Sequence, residues 1–129
     1  MPIELTLLGW SIVLGLVYVM FAITLATQQR GAKWNASNRE GDFKPLTGMA
    51  ARTSRASQNF LETFVFFVAA VLAVVVAQRT NAATALGVQV YFWARVVYLP
   101  VYAIGITYLR TLVWVVSLVG IVMVLSALF

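Results

Sequence analysis

Residues 5–26 read LTLLGWSIVLGLVYVMFAITLA, without one charged side chain. As a helix, at about 1.5 Å per residue, this run covers about 33 Å, enough to cross the hydrocarbon core of a bilayer. Its flanks suit a span better than a cleaved leader. Met1-Pro2-Ile3-Glu4 lacks a basic start, and Thr24-Leu25-Ala26-Thr27 is a poor small-residue cleavage site. Further along, residues 63–78, TFVFFVAAVLAVVVAQ, are also uncharged but give only about 24 Å as a helix. The second span must therefore begin earlier, between residues 46 and 51 just after Pro45, which draws Glu62 and Asn59 to or inside the membrane edge. A third span is expected over residues 83–108, with Arg95 near its middle and Pro100 and Gly105 beyond it, and a fourth over residues 111–129. Residues 28–51 read as a polar loop, Arg79-Thr80-Asn81 as a tight turn, and Arg110 falls in the turn before the fourth span. The expectation is one all-α membrane domain over residues 1–129, a bundle of four transmembrane helices.

Composition leads to the same solvent. The chain has 129 residues, 62% hydrophobic and 10% charged, where soluble domains average roughly 45–50% and 25%. Polar groups are too few to cover a water-soluble surface of this size. With no cysteine and no histidine, disulfides, thiolate nucleophiles, imidazole bases and Cys/His metal sites are excluded. No metal site is expected. Chemistry would have to use Arg, Tyr, Ser or Glu, or a reactive group on a bound molecule.

The formal charge is +5, from nine Lys+Arg against four Asp+Glu. Six of those cations, Arg30, Lys33, Arg39, Lys44, Arg52 and Arg55, stand between the first two apolar runs. They read as a positive-inside loop rather than a nucleic-acid surface. With Arg110 added, the count places the first loop and the third turn in the cytoplasm and both termini on the opposite side.

Two polar stripes interrupt the apolar surface. Arg52, Arg55, Asn59 and Glu62, at steps of three, four and three, share one face of the second helix. Tyr91, Arg95, Tyr98 and Tyr102, at steps of four, three and four, share one face of the third. Such stripes turn to a bundle interior or a watery cavity, because a central Arg exposed to lipid costs about 2.5–3.5 kcal/mol on insertion scales. Structural readings stand beside the functional one. Arg52 and Arg55 can mark the cytoplasmic end, Tyr102 and Tyr108 can be interfacial aromatics, Asn59 can tie two helices, and Glu62 and Arg95 can form an ion pair. Ser11-x-x-x-Gly15 and Ala22-x-x-x-Ala26 are expected to be packing contacts.

Gly41-Asp42, followed by Arg55-Ala56-x-x-Asn59-x-x-Glu62, resembles the signature of the MAPEG family, the membrane-associated proteins of eicosanoid and glutathione metabolism. Arg95-x-x-Tyr98-x-x-x-Tyr102 resembles that family's third-helix stripe, and the likeness in length and spans covers essentially the whole chain. The family includes microsomal glutathione transferases and the membrane synthases of leukotriene C and prostaglandin E. The resemblance implies a homotrimer with glutathione, as co-substrate, between neighbouring subunits. It implies glutathione contacts from Arg52, Arg55, Asn59, Glu62, Arg95, Tyr98 and Tyr102. Arg30 would reach a neighbour's ligand, and Arg110 would be the catalytic, thiolate-stabilising residue at the start of the fourth helix. Thr63 stands where the leukotriene synthases carry tyrosine, and Tyr98 where some members carry histidine, so the implied activity is general transfer rather than an eicosanoid specificity.

The residue inventory suits that ligand. Glutathione carries two carboxylates and one ammonium; arginines fork onto the former, Glu62 accepts from the latter, and Asn59 can serve either. A cation at Arg110 would favour the thiolate, and the bilayer would deliver a lipophilic second substrate. Two other functions fit the sequence: a catalytically silent membrane scaffold of the same fold, and a small four-span multidrug exporter. Against the exporter, the arginines around Glu62 would hold it ionised.

Overall fold

The apolar runs fold as four long helices in a computed structural model, which describes residues 1–36 and 45–129. The elements are α1 (Ile3–Arg30), a short α2 (Ala32–Ala36), α3 (Gly48–Val76), α4 (Ala82–Ile104) and α5 (Thr107–Ser126). All but α2 are long and apolar enough to cross a membrane, and there is no strand among the described residues. Arg39, Lys44 and the Gly41-Asp42 pair lie outside the described residues.

The ends of the spans show where local chemistry overrides hydropathy. α1 continues past Ala26 to Arg30, and α2 makes part of the expected loop helical. α3 stops at Val76, two residues short of the expected Gln78. Arg79-Thr80-Asn81 is the expected connection, closed by a reciprocal cap in which the Asn81 carboxamide accepts from the Thr84 N–H and the Thr84 hydroxyl accepts from the Asn81 N–H. The third span is shorter than expected. α4 ends at Ile104 because Gly105 takes a left-handed conformation (φ 93°, ψ 31°) and returns its N–H to Val101 O at 3.1 Å, an ending that glycine allows without strain. Tyr108 and Arg110 therefore sit near the start of α5, not in the third span and the turn after it.

α3 and α4 form the centre of the bundle. α1 packs on one flank of this pair and α5 on the other, and α1 and α5 do not meet. Phe67, Val71, Val74, Val88, Tyr91 and Val124 fill one half of the interior, and Tyr18, Ala56, Phe60, Tyr98 and Tyr102 the other. The closest approach is between α4 and α5. A Cβ on Gly87 would lie 2.8 Å from Gly120 O, and one on Gly120 would lie 2.7 Å from Tyr91 N. Small residues let two backbones come this near, and the dispersion contact replaces a hydrophobic drive that lipid does not supply. The expected small-residue stripe on α1 is buried at Ser11, Gly15 and Ala22, while Ala26 instead borders a cavity beside Arg30. Leu16, Val65, Phe66, Leu112 and Val122 are exposed, the outward apolar surface of a membrane bundle.

The two ends differ in charge. At one, the buried Glu4 accepts from the Thr84 hydroxyl at 2.8 Å, and Arg79 donates to the carbonyls of Ala127 and Leu128. At the other gather Arg30, Arg52, Arg55 and Arg110.

Candidate functional site

Arg52, Arg55 and Asn59 stand on the opening turns of α3, facing the junction of α4 and α5. Arg52 Nε donates to Ala103 O at 2.8 Å and lies over Gly105, so it satisfies a carbonyl that the end of α4 leaves open. Arg55 Nε donates to the Tyr102 hydroxyl at 3.1 Å. Arg110 approaches the same tyrosine from α5, its guanidinium carbon 4.8 Å from the ring centre, a cation–π distance. These three arginines, with Tyr102, Gly105 and Thr107, line a cavity of about 220 Å³. A second cavity of about 210 Å³ adjoins it, lined by Asn59, Tyr98, Arg110, Thr111 and Trp114. Arg110 borders both.

No carboxylate lines either cavity among the described residues. Three guanidiniums with no acid between them attract a ligand bearing more than one negative group, and they do so strongly where membrane and protein limit screening. The arrangement can bind anionic ends and stabilise negative charge beside Arg110.

Arg95 occupies a different layer. It is fully buried, with Nη1 donating to Asn59 Oδ1 at 2.8 Å and Nη2 to Thr63 Oγ1 at 2.6 Å. The Tyr98 ring centre lies 4.8 Å from its guanidinium carbon, and those of Phe60 and Tyr91 5.8 Å. The facing of the two stripes is therefore as expected, but Arg95 stands behind Asn59 rather than in the cavity wall. The ion pair of Glu62 with Arg95 is not formed: Arg95 uses Asn59 and Thr63, while Glu62 is exposed on α3 and lines neither cavity. The polar stripe of α3 thus faces the cluster only as far as Asn59. Thr63 stands out in the sequence only as a departure from the synthase pattern; its bond to Arg95 gives no signal there, because a threonine in an apolar run is silent until its partner is known.

Arg30 belongs to the other flank. With Trp34, whose ring centre is 5.0 Å from its guanidinium carbon, it borders a cavity of about 210 Å³ between α1 and α3, near Ser54, Ser57 and Gln58. Within one chain, Arg30 and Arg110 thus lie on opposite sides of α3. Of the candidate residues, Arg52, Arg55, Asn59, Tyr98, Tyr102 and Arg110 come together; Arg95 supports them, and Glu62 and Arg30 stand apart.

A multi-pass membrane bundle with a cationic cleft at one end of its central helices is the class of protein these features define. The family model described as the MAPEG family matches residues 7–129, and the chain belongs to that family. No curated relative and no solved structure matches the chain. Membership makes this an integral, multi-pass membrane protein of the glutathione and eicosanoid metabolism family and sets aside the multidrug exporter. The family includes glutathione transferases and peroxidases, and also members that are neither.

Proposed function

We propose that the protein binds glutathione in the cleft bounded by Arg52, Arg55, Asn59, Tyr98, Tyr102 and Arg110, and activates its thiolate against a lipophilic electrophile or peroxide drawn from the bilayer. The observation that carries this reading is the convergence of Arg52, Arg55 and Arg110 on adjoining cavities with no acid in their walls. The protein has no cysteine, so the ligand supplies the sulfur. In conjugation, the sulfur forms a bond to the electrophilic carbon while the leaving group departs with its electron pair. With a peroxide, sulfur attacks oxygen, the O–O bond breaks and an alcohol leaves; a second glutathione then yields the disulfide and water. Arg110 stabilises the thiolate in both.

A homotrimer is part of the same proposal. Arg30 and Arg110 lie on opposite flanks of α3, and Glu62 is an exposed carboxylate on a spanning helix. Head-to-tail contacts would bring Arg30 of one copy towards the Arg110 side of the next, and heterologous contacts that close give a ring. They would also cover Glu62, which lipid penalises, and give it a ligand ammonium. The cationic end is proposed to face the cytoplasm, with both termini opposite. A detergent-corrected mass of three subunits is expected; a monomer or dimer contradicts the ring.

The functional test is turnover by purified protein with glutathione and either 1-chloro-2,4-dinitrobenzene or cumene hydroperoxide. Glutathione conjugate or glutathione disulfide is expected. Binding without turnover of either would make the protein a silent member of the fold, and no binding at all would overturn the proposal.

A further inference from the structure

We infer that Asn59 serves its ligand as a hydrogen-bond donor only, and that Arg95, anchored by Thr63, is the positioning residue that fixes it in that sense. This deepens the glutathione reading and rests on it. A carboxamide offers an oxygen that accepts and a nitrogen that donates, and in an open site it can turn to present either. At Asn59 it is not free to turn. A guanidinium has five N–H donors, no acceptor and a permanent charge, so the atom of Asn59 that meets Arg95 Nη1 at 2.8 Å has to be the oxygen. Reversing the amide would set N–H against N–H beside a fully buried cation.

The guanidinium is itself held. Its Nη2 reaches Thr63 Oγ1 at 2.6 Å. The Thr63 hydroxyl is within donating distance of two carbonyls of its own helix, Phe60 O at 3.3 Å and Asn59 O at 3.4 Å. Its proton is thereby directed to the α3 backbone and a lone pair to Arg95. The Tyr98, Phe60 and Tyr91 rings surround the cation. Thr63, Arg95 and Asn59 form a chain with one direction, and it ends at the Asn59 amide N–H₂.

Asn59 also lines the cavity with Tyr98, Arg110, Thr111 and Trp114. Among the described residues its amide N–H₂ has no acceptor. The lining therefore presents donors from Asn59 and Arg110, the hydroxyls of Tyr98 and Thr111, and no carboxylate. The ligand group that completes Asn59 is an acceptor, the thiolate, a carboxylate or a peptide carbonyl of the tripeptide; its ammonium is excluded there.

The test is calorimetric titration of the detergent-solubilised protein with glutathione and with S-methylglutathione, together with thermal unfolding. Asn59→Asp is nearly isosteric, keeps an oxygen for Arg95 and turns the remaining donor into an anion. It is expected to unfold no earlier than wild type yet bind glutathione at least about tenfold more weakly. If S-methylglutathione weakens equally, the acceptor is a carboxylate or peptide carbonyl; a loss confined to glutathione makes it the sulfur. Thr63→Val, which frees one arm of Arg95, is expected to weaken glutathione by about three- to tenfold, with Thr63→Ser restoring it. Wild-type affinity in Asn59→Asp would overturn the donor role. Wild-type affinity in Thr63→Val would overturn the positioning role, and this arm decides the matter if Asn59→Asp fails to fold. Wild-type protein that binds neither tripeptide defeats the glutathione reading itself, a failure visible before any variant is made.

Discussion

Arg110 lies with its guanidinium carbon 4.8 Å from the centre of the Tyr102 ring, so the arginine at the start of α5 is set by a tyrosine from the end of α4. Arg55 bonds the hydroxyl of the same residue. Tyr102 is a shared post for two cations that the chain brings from different helices.

Removing the hydroxyl alone tests Arg55's hydrogen bond, while the ring lies under both guanidiniums, 4.8 Å from that of Arg110 and 5.9 Å from that of Arg55. Tyr102→Phe keeps the cation–π contact and removes Arg55's acceptor, and glutathione affinity should fall by about 0.5–1.5 kcal/mol. Tyr102→Leu removes both supports and should weaken binding further and slow turnover. Calorimetry and initial rates on the two variants check the order; equal behaviour would mean that the ring does not position Arg110.

Glu62 is exposed in one chain, so its removal should leave the folding of that chain nearly untouched, within about 0.5 kcal/mol. In the assembled protein, Glu62→Ala should weaken glutathione by about 2–5 kcal/mol if the carboxylate meets a buried ligand ammonium. Glutathione analogues lacking that ammonium should not distinguish the variant from wild type. Unchanged glutathione affinity would remove Glu62 from the site.

The α4–α5 contact sets where Arg110 stands. Gly120→Ala would push a methyl group to 2.7 Å from Tyr91 N, against backbone that cannot yield cheaply. A loss of about 1–3 kcal/mol is expected in detergent unfolding. A methyl group on Gly9 would meet nothing within 4 Å, and Gly9→Ala should be neutral or slightly stabilising. A Gly120→Ala protein as stable as wild type would contradict the close packing.

Four spans and two facing polar stripes are legible in the sequence because hydropathy and helical spacing are local signals. The boundary between α4 and α5 is not. Apolar residues continue on both sides of Gly105, and its role as a left-handed terminator is set by backbone geometry that composition does not show. The Gly87–Gly120 approach joins two helices: Ala83-x-x-x-Gly87 is a small-residue spacing on α4, but Gly120 has no such neighbour on α5, so the partner is not named by either helix alone. Arg95 is visible as a buried charge, yet the choice of Asn59 and Thr63 over Glu62 depends on how α3 is rotated against α4. Arg30, which the resemblance assigns to a neighbour's ligand, lies in one chain on the flank of α3 opposite Arg110.

The most direct measurement of the central claim is the ultraviolet absorbance of the thiolate, followed against pH with glutathione bound to wild type, Arg110→Ala and Arg110→Lys. A close guanidinium should make the bound thiol ionise about 1–3 pH units lower than in solution. Wild type should therefore show thiolate at neutral pH. Arg110→Ala should need higher pH and lose far more rate than affinity, since Arg52 and Arg55 still bind the anion. Arg110→Lys should recover part of both, because charge returns without the planar fork. Saturated wild-type protein with no thiolate at neutral pH, or Arg110→Ala that ionises and conjugates like wild type, would contradict the account.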